Sequence, residues 1–162
     1  MKYFTKDWCF SKLDDQEIEN RLKSYRDYIQ DVYKKLPTVL RMLVEHINLH
    51  DGKIALVVFN SEKKELLIRG VFGDLEVGYF FLSIKYLMVL NLDFNLLNSI
   101  FISDKLDVLS DEIEYLGDSY FSHRMLFSIK KDIDIQFKDI ELEIQNANPR
   151  DYEKVRCQFK TV

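Results

Sequence analysis

Two histidines four residues apart, His46 and His50, are followed at once by Asp51. An (i, i+4) pair shares one face of a helix, which is the spacing a zinc site on a single helix uses. The stretch reads His46-Ile47-Asn48-Leu49-His50, so the glutamate that follows the first histidine of a HExxH protease is absent; Glu45 precedes it instead. His123 is the remaining candidate ligand, with Glu112 or Glu114 near it in sequence. A metal-dependent hydrolase using His46, His50, Asp51 and His123 is one reading of this chain. The competing reading places the first two histidines near a helix C-terminus, where an imidazolium is mildly favoured.

The carboxylates offer a second chemistry. Asp111, Glu112 and Glu114 lie close together, as do Asp132 and Asp134. On strands, 112 and 114 share one side, and so do 132 and 134. Such rows line the clefts of carbohydrate-acting enzymes. They also form the wet side of a half-exposed antiparallel sheet, or guard an edge strand. Nucleophiles give less: Cys9 and Cys157 lie near opposite ends with no CxxC pair, and no GxSxG elbow occurs. Neither GxGxxG nor GxxxxGK[ST] is present, and the five glycines are scattered. No cofactor is implied, and no reaction is legible.

Bulk properties narrow the class. The chain has 162 residues, 47% of them apolar, with 12 Phe, 9 Tyr and one Trp. That much apolar surface excludes a disordered chain. The net charge of −4 argues against a general nucleic-acid binder, which needs a basic surface to release counterions. The charge is also uneven, since residues 101–145 hold eleven carboxylates against five Lys or Arg. A block of this kind repels phosphates and suits a basic protein partner. The opening residues lack the apolar core of a secretory signal, so the expected compartment is the cytoplasm. Residues 77–102 are strongly apolar, but Lys85 and Asp93 interrupt them, and no membrane span is expected.

These side chains must be positioned by a helical N-terminus and a sheet. Between 15 and 49, Ile18, Leu22, Tyr25, Ile29, Val32, Leu36, Leu40, Leu43 and Ile47 fall at helical spacing. Asp14 with Glu17 predicts a capping box, and Pro37 predicts a kink or break into two helices. Beyond Gly52 the period changes to two. Strands are predicted over 53–60, 65–72 and 77–92, the last either one long strand or a strand followed by a short helical piece, then over 110–116 and 120–128 around a Gly117-Asp118 turn. The segment 94–102 is ambiguous. Ile133, Ile135 and Phe137 alternate, and the phase then slips by one to Ile140, Leu142 and Ile144, which predicts a bulge or tight turn at Lys138-Asp139. A last short strand is predicted over 155–160. The expectation is a single α+β domain over 1–162, with a helix pair packed on a mostly antiparallel sheet of six or seven strands.

Several short blocks resemble an uncharacterised bacterial domain-of-unknown-function family. They are the opening MKYFTK-x-W (Met1 to Trp8), the HD-x-x-I at His50-Asp51, and the closing DEIE (Asp111 to Glu114), F-x-H-x-LF around His123 and I-x-I-x-F-x-DI (Ile133 to Ile140). The resemblance implies an α+β fold and a bacterial, cytoplasmic setting, and it implies no activity. The candidate binding residues are His50, Asp51, Glu112, Glu114, His123 and Asp134. The expected function is a small non-enzymatic interaction domain. It would dock a basic protein through an acidic sheet face, a toxin-neutralising role being one version. A binder of small ligands using Tyr79, Phe80, Phe81 and Tyr86 is a third possibility, although such aromatics are usually core.

Overall fold

Asp14 opens the first long helix and Pro37 separates it from the next. The computed structural model describes residues 1–10, 12–90 and 92–162. A short helix α1 (Lys6–Cys9) precedes α2 (Asp15–Val32), a 3₁₀ turn (Tyr33–Lys35) and α3 (Thr38–His46). The expected break is present: Leu36 is extended, and Pro37 is the N-cap of α3 with φ −60°. Proline lacks an N–H and cannot continue a helix from within, but it is tolerated at a helix start. The capping box also forms, with Asp14 accepting from Glu17 N at 2.8 Å and Glu17 accepting from Asp14 N at 3.4 Å. Asp14→Ala is expected to remove about 1 kcal/mol of stability, read as a lower urea midpoint at unchanged slope. Arg21 of α2 donates to Tyr3 O at 3.2 Å. The helix pair ends at His46 and not at Leu49, because Ile47 is already extended.

The remaining elements are β1 (Lys53–Asn60), β2 (Glu65–Asp74), β3 (Gly78–Leu87), α4 (Phe94–Phe101), β4 (Val108–Gly117), β5 (Tyr120–Phe127), β6 (Asp132–Phe137), β7 (Asp139–Ala147), α5 (Pro149–Lys154) and β8 (Gln158–Thr161). The fold is α+β and mostly antiparallel. The predicted single sheet of six or seven strands is corrected to two sheets, one ordered β7-β3-β2-β1-β8 and one ordered β4-β5-β6. The phase slip at Lys138-Asp139 is where the chain changes sheet. It leaves β6 at Phe137 and enters β7 at Asp139. One extra residue flips the side-chain phase, and Ile135, Phe137 and Ile140 all remain buried in one shared core.

The sheets are stitched at two margins. Asp51 N donates to Val108 O and Val108 N to Gly52 O, both at 2.8 Å, beside a bridge between Lys53 and Asp107. At the other margin Leu90 N donates to Gln136 O at 2.7 Å and Lys138 N to Leu87 O at 3.1 Å. Leu40 and Leu43 of α3 and Leu97 and Ile100 of α4 fill the space between, packed with Leu82, Ile84 and Tyr86 of β3. Gly52 is required at the first margin, because a Cβ there would lie 1.9 Å from the Phe72 ring.

The predicted strand over 77–92 stops at Leu87, where Met88 adopts φ 50°; Asn91, also in that range, lies outside the described residues. The ambiguous segment is α4, capped by Asp93, which accepts from Leu96 N at 3.0 Å. Among the described residues no helix is long and apolar enough to cross a membrane. The last strand is shorter than predicted and follows α5, a helix that the sequence reading omits.

Candidate functional site

Antiparallel pairing of β4 with β5, and of β5 with β6, sets Glu112 opposite Arg124 and Arg124 opposite Asp134. Three predicted site residues therefore converge on one guanidinium. Arg124 lies 3.5 Å from Glu112, 3.0 Å from Glu114 and 3.1 Å from Asp134. Burial opposes the Arg124 charge, but the Asp134 hydrogen bond and the Glu114 and Glu112 charges outweigh it and raise its pKa. Glu112 is 2% exposed and also accepts from three successive backbone amides, those of Lys2, Tyr3 and Phe4. It ties the N-terminal segment to the outer face of the three-stranded sheet. Ser122 donates to Asp134, and Lys6 lies 3.3 Å from Asp132. The acidic face read from the sequence is thus largely neutralised within the fold, and its carboxylates hold structure together.

His123 faces the other way, into the core, and is fully buried. Its Nε2 is 3.1 Å from Asp111 Oδ2 and its Nδ1 is 2.8 Å from Tyr86 Oη. A carboxylate can only accept, so Nε2 carries a proton. In the singly protonated ring, Nδ1 then accepts the Tyr86 hydroxyl proton. Burial pushes the Tyr86 pKa well above its ordinary value, which keeps that hydroxyl a donor. Tyr86→Phe leaves a buried ring nitrogen without a donor. It is expected to cost about 1–3 kcal/mol, measured by chemical denaturation.

His50 and Asp51 stand at the turn into β1. His50 Nδ1 donates to Leu109 O at 2.6 Å, and Asp51 Oδ2 lies 3.4 Å from Nε2. His50 and His123 therefore contact the same stretch of β4, one through the Leu109 carbonyl and the other through the Asp111 side chain. His46 is exposed, 3.9 Å from Glu45, and lines a cleft of about 380 Å³ together with His50, Asp51 and Asp74. Among the described residues no three His, Cys, Asp or Glu side chains come together as a metal would require. The predicted set His46, His50 and His123 is not assembled, because His123 is committed to Tyr86 and Asp111. Burial raises the pKa of both cysteines, Cys157 to about 11, so neither thiol is activated as a nucleophile. Of the predicted aromatics, Tyr86 is core, and Tyr79 packs against Tyr152 of α5 with ring centroids 4.9 Å apart and tilted at 34°.

A cleft of about 290 Å³ opens between α1, α2 and β4, lined by Phe4, Trp8, Leu22, His50 and Asp111 among others. Sequence reasoning places neither Trp8 nor Asp111 in its final candidate set. Asp111 is signalled by its place in the acidic run, and Trp8 by its place in the opening MKYFTK-x-W block.

The two sheets manage their open edges differently. The β4 edge is capped by α2, whose Tyr25 and Tyr28 hydroxyls accept from Ile113 N and Tyr115 N, both at 2.8 Å. β7 pairs with β3 along its whole length, from Asp139 with Leu87 to Ala147 with Tyr79. On its other edge β7 has no backbone partner among the described residues. Asp139, Glu141 and Glu143 are exposed along one side of that strand. Lys85 is shared between Glu65 at 3.3 Å and Glu141 at 3.9 Å.

Comparison with protein-family models, with curated proteins and with solved structures finds no match to this chain. The geometry of the chain itself carries the functional reading.

Proposed function

We propose that this chain is a non-enzymatic protein-interaction domain that docks a basic partner along β7. The observation that carries this is the open, acidic edge of β7, set against a β4 edge of similar length that two tyrosines cap. An unpaired edge is a template for an added strand, with main-chain hydrogen bonds giving affinity and alternate side chains giving selectivity. Asp139, Glu141 and Glu143 favour Lys or Arg on one side of the incoming strand. On the other side Ile144 is 49% exposed, and Met42 of the adjacent α3 is 37% exposed, which favours apolar residues. The fitting partner is an extended segment alternating basic and apolar residues. A second copy of β7 fits poorly, because the fully overlapped antiparallel register sets Glu143 against Glu143. Toxin neutralisation is the version in which the basic segment belongs to a nucleic-acid-cutting domain.

A blocked octapeptide alternating Lys and Val, titrated by fluorescence anisotropy, tests this reading. It is expected to bind more weakly as salt rises. The double variant Glu141→Lys, Glu143→Lys is expected to lose at least tenfold in affinity, with a small drop in thermal midpoint because position 141 faces Lys85 across the β3–β7 pair. Equal affinity for the variant, or no binding at low salt, overturns the docking assignment.

A further inference from the structure

We infer that the basic segment taken by β7 is the β8 edge of a second copy of this chain, so that copies add head to tail into one continued sheet. The pairing presupposes that β7 is an open docking edge, as proposed above, and names the partner it takes. In the order β7-β3-β2-β1-β8 the two outermost strands are β7 and β8. β8 pairs with β1 on one side, from Leu56 with Gln158 to Phe59 with Thr161. On its other side it has no backbone partner among the described residues. The two open edges differ in charge. β7 exposes Asp139, Glu141 and Glu143, whereas residues 155–160 read Val-Arg-Cys-Gln-Phe-Lys, with Arg156, Gln158 and Lys160 exposed and Val155, Cys157 and Phe159 half-buried. That is the alternation of basic or polar with apolar residues that the β7 edge suits. Arg156 lies 3.8 Å from Asp104, and Lys160 has no ion-pair partner among the described residues.

Direction, face and register all agree with this pairing. β1, β2, β3 and β7 are successively antiparallel, and β8 runs parallel to β1. β7 and β8 therefore run in opposite directions, and a second copy laid alongside in the same orientation brings its β8 antiparallel to β7. One cross-strand row spans the whole sheet, from Lys160 through Val58, Leu67 and Lys85 to Glu141. Residues in one row share a face, so Lys160 and Glu141 lie on the same side of the sheet. Extending the row by one strand sets Lys160 of the second copy opposite Glu141, and Gln158 opposite Glu143. On the other face Phe159 falls opposite Leu142 and Cys157 opposite Ile144, which is 49% exposed. Opposite charges facing each other across a strand pair are favourable, and like charges are not. The contact joins different patches on the two copies, so it does not stop at a dimer unless the rotation closes a ring. β8 has only four residues, so the buried area is small, association is weak and dilute protein stays monomeric.

Sedimentation velocity of the full chain over a range of protein concentrations tests this, with Lys–Val octapeptide anisotropy measured alongside. The average mass is expected to rise with concentration at low salt and to fall back as salt rises. The octapeptide is expected to reverse the rise by occupying β7. Lys160→Glu changes an exposed residue outside β7. It is expected to weaken self-association at least tenfold and to leave octapeptide affinity unchanged. Glu141→Lys alone is expected to weaken both. Combining the two places opposite charges across the contact again, and is expected to recover self-association while octapeptide binding stays weak. Octapeptide binding without self-association overturns the β7–β8 pairing and leaves the β7 reading standing. Self-association indifferent to Lys160→Glu, or no recovery in the combined variant, also overturns the pairing alone. No octapeptide binding at low salt overturns the β7 reading and the pairing with it.

Discussion

Replacing Arg124 by methionine is expected to destabilise the fold by about 2–4 kcal/mol, below the full cost of breaking a fully buried charge set because Arg124 is 21% exposed and of its partners Glu112 alone is buried. Glu112, Glu114 and Asp134 all lie within 3.5 Å of Arg124. Without it, three carboxylates face one another on one side of the sheet, and the most deeply buried of them is 2% exposed. In a chain of this length the loss corresponds to a drop in Tm on the order of 10 °C. Adding Glu112→Gln to the same variant is expected to recover part of it. The amide oxygen can still accept from Tyr3 N and Phe4 N, which share one carboxylate oxygen, while the bond from Lys2 N to the other oxygen is lost and one repelling charge is gone. A loss below about 1 kcal/mol would place Arg124 among exposed, solvent-screened pairs and contradict its role as the organising cation.

The second large effect comes from the double variant Tyr25→Phe, Tyr28→Phe. Each change keeps the ring, so the packing of Tyr3 against both residues is retained. What is lost is the acceptor for Ile113 N and for Tyr115 N. An orphaned backbone donor costs about 1–3 kcal/mol when buried, so the pair is expected to cost about 2–6 kcal/mol on the same figures. The Tyr25 hydroxyl is the more deeply buried, and burial raises its pKa strongly, so it should carry the larger share. The variant also weakens the seal on the β4 edge, one without the β7 carboxylates to guard it. Concentration-dependent association is therefore expected by analytical ultracentrifugation. A variant that stays monomeric and loses nothing in stability would show that α2 does not seal β4.

The helix pair was legible because its signals are local: a steady helical period, an Asp14 to Glu17 cap and a proline at 37. The hairpins were legible for the same reason, since Gly117-Asp118 sits between two alternating runs. The division into two sheets was not. The slip between Phe137 and Ile140 marks a change of phase, and a bulge within one sheet gives the same pattern as a crossing between sheets. Only non-local pairing, such as Leu90 with Gln136, separates the two. α5 carried its own signal in Asn148, Pro149 and Asp151, which form a capping box with proline in the first turn.

At the site, the spacing of Glu112 and Glu114 correctly placed both on one side of a strand. Their common partner, Arg124, could not be found from spacing, because it sits on the neighbouring strand at a register set by the Gly117-Asp118 turn. The same holds for His123, whose partners Tyr86 and Asp111 come from β3 and β4. The acid excess of residues 101–145 was real, but its meaning divided on folding. On β4 and β6 it is matched by Arg124, Lys6 and the N-terminal amides, and on β7 much of it remains open to solvent.

Backbone amide hydrogen exchange across residues 139–147, with and without the Lys–Val octapeptide, tests the docking assignment most directly. Slower exchange confined to alternate amides of β7, lost in the Glu141→Lys, Glu143→Lys variant, is the predicted result. Protection centred on β4 to β6, or an unchanged β7 at saturating peptide, would contradict it.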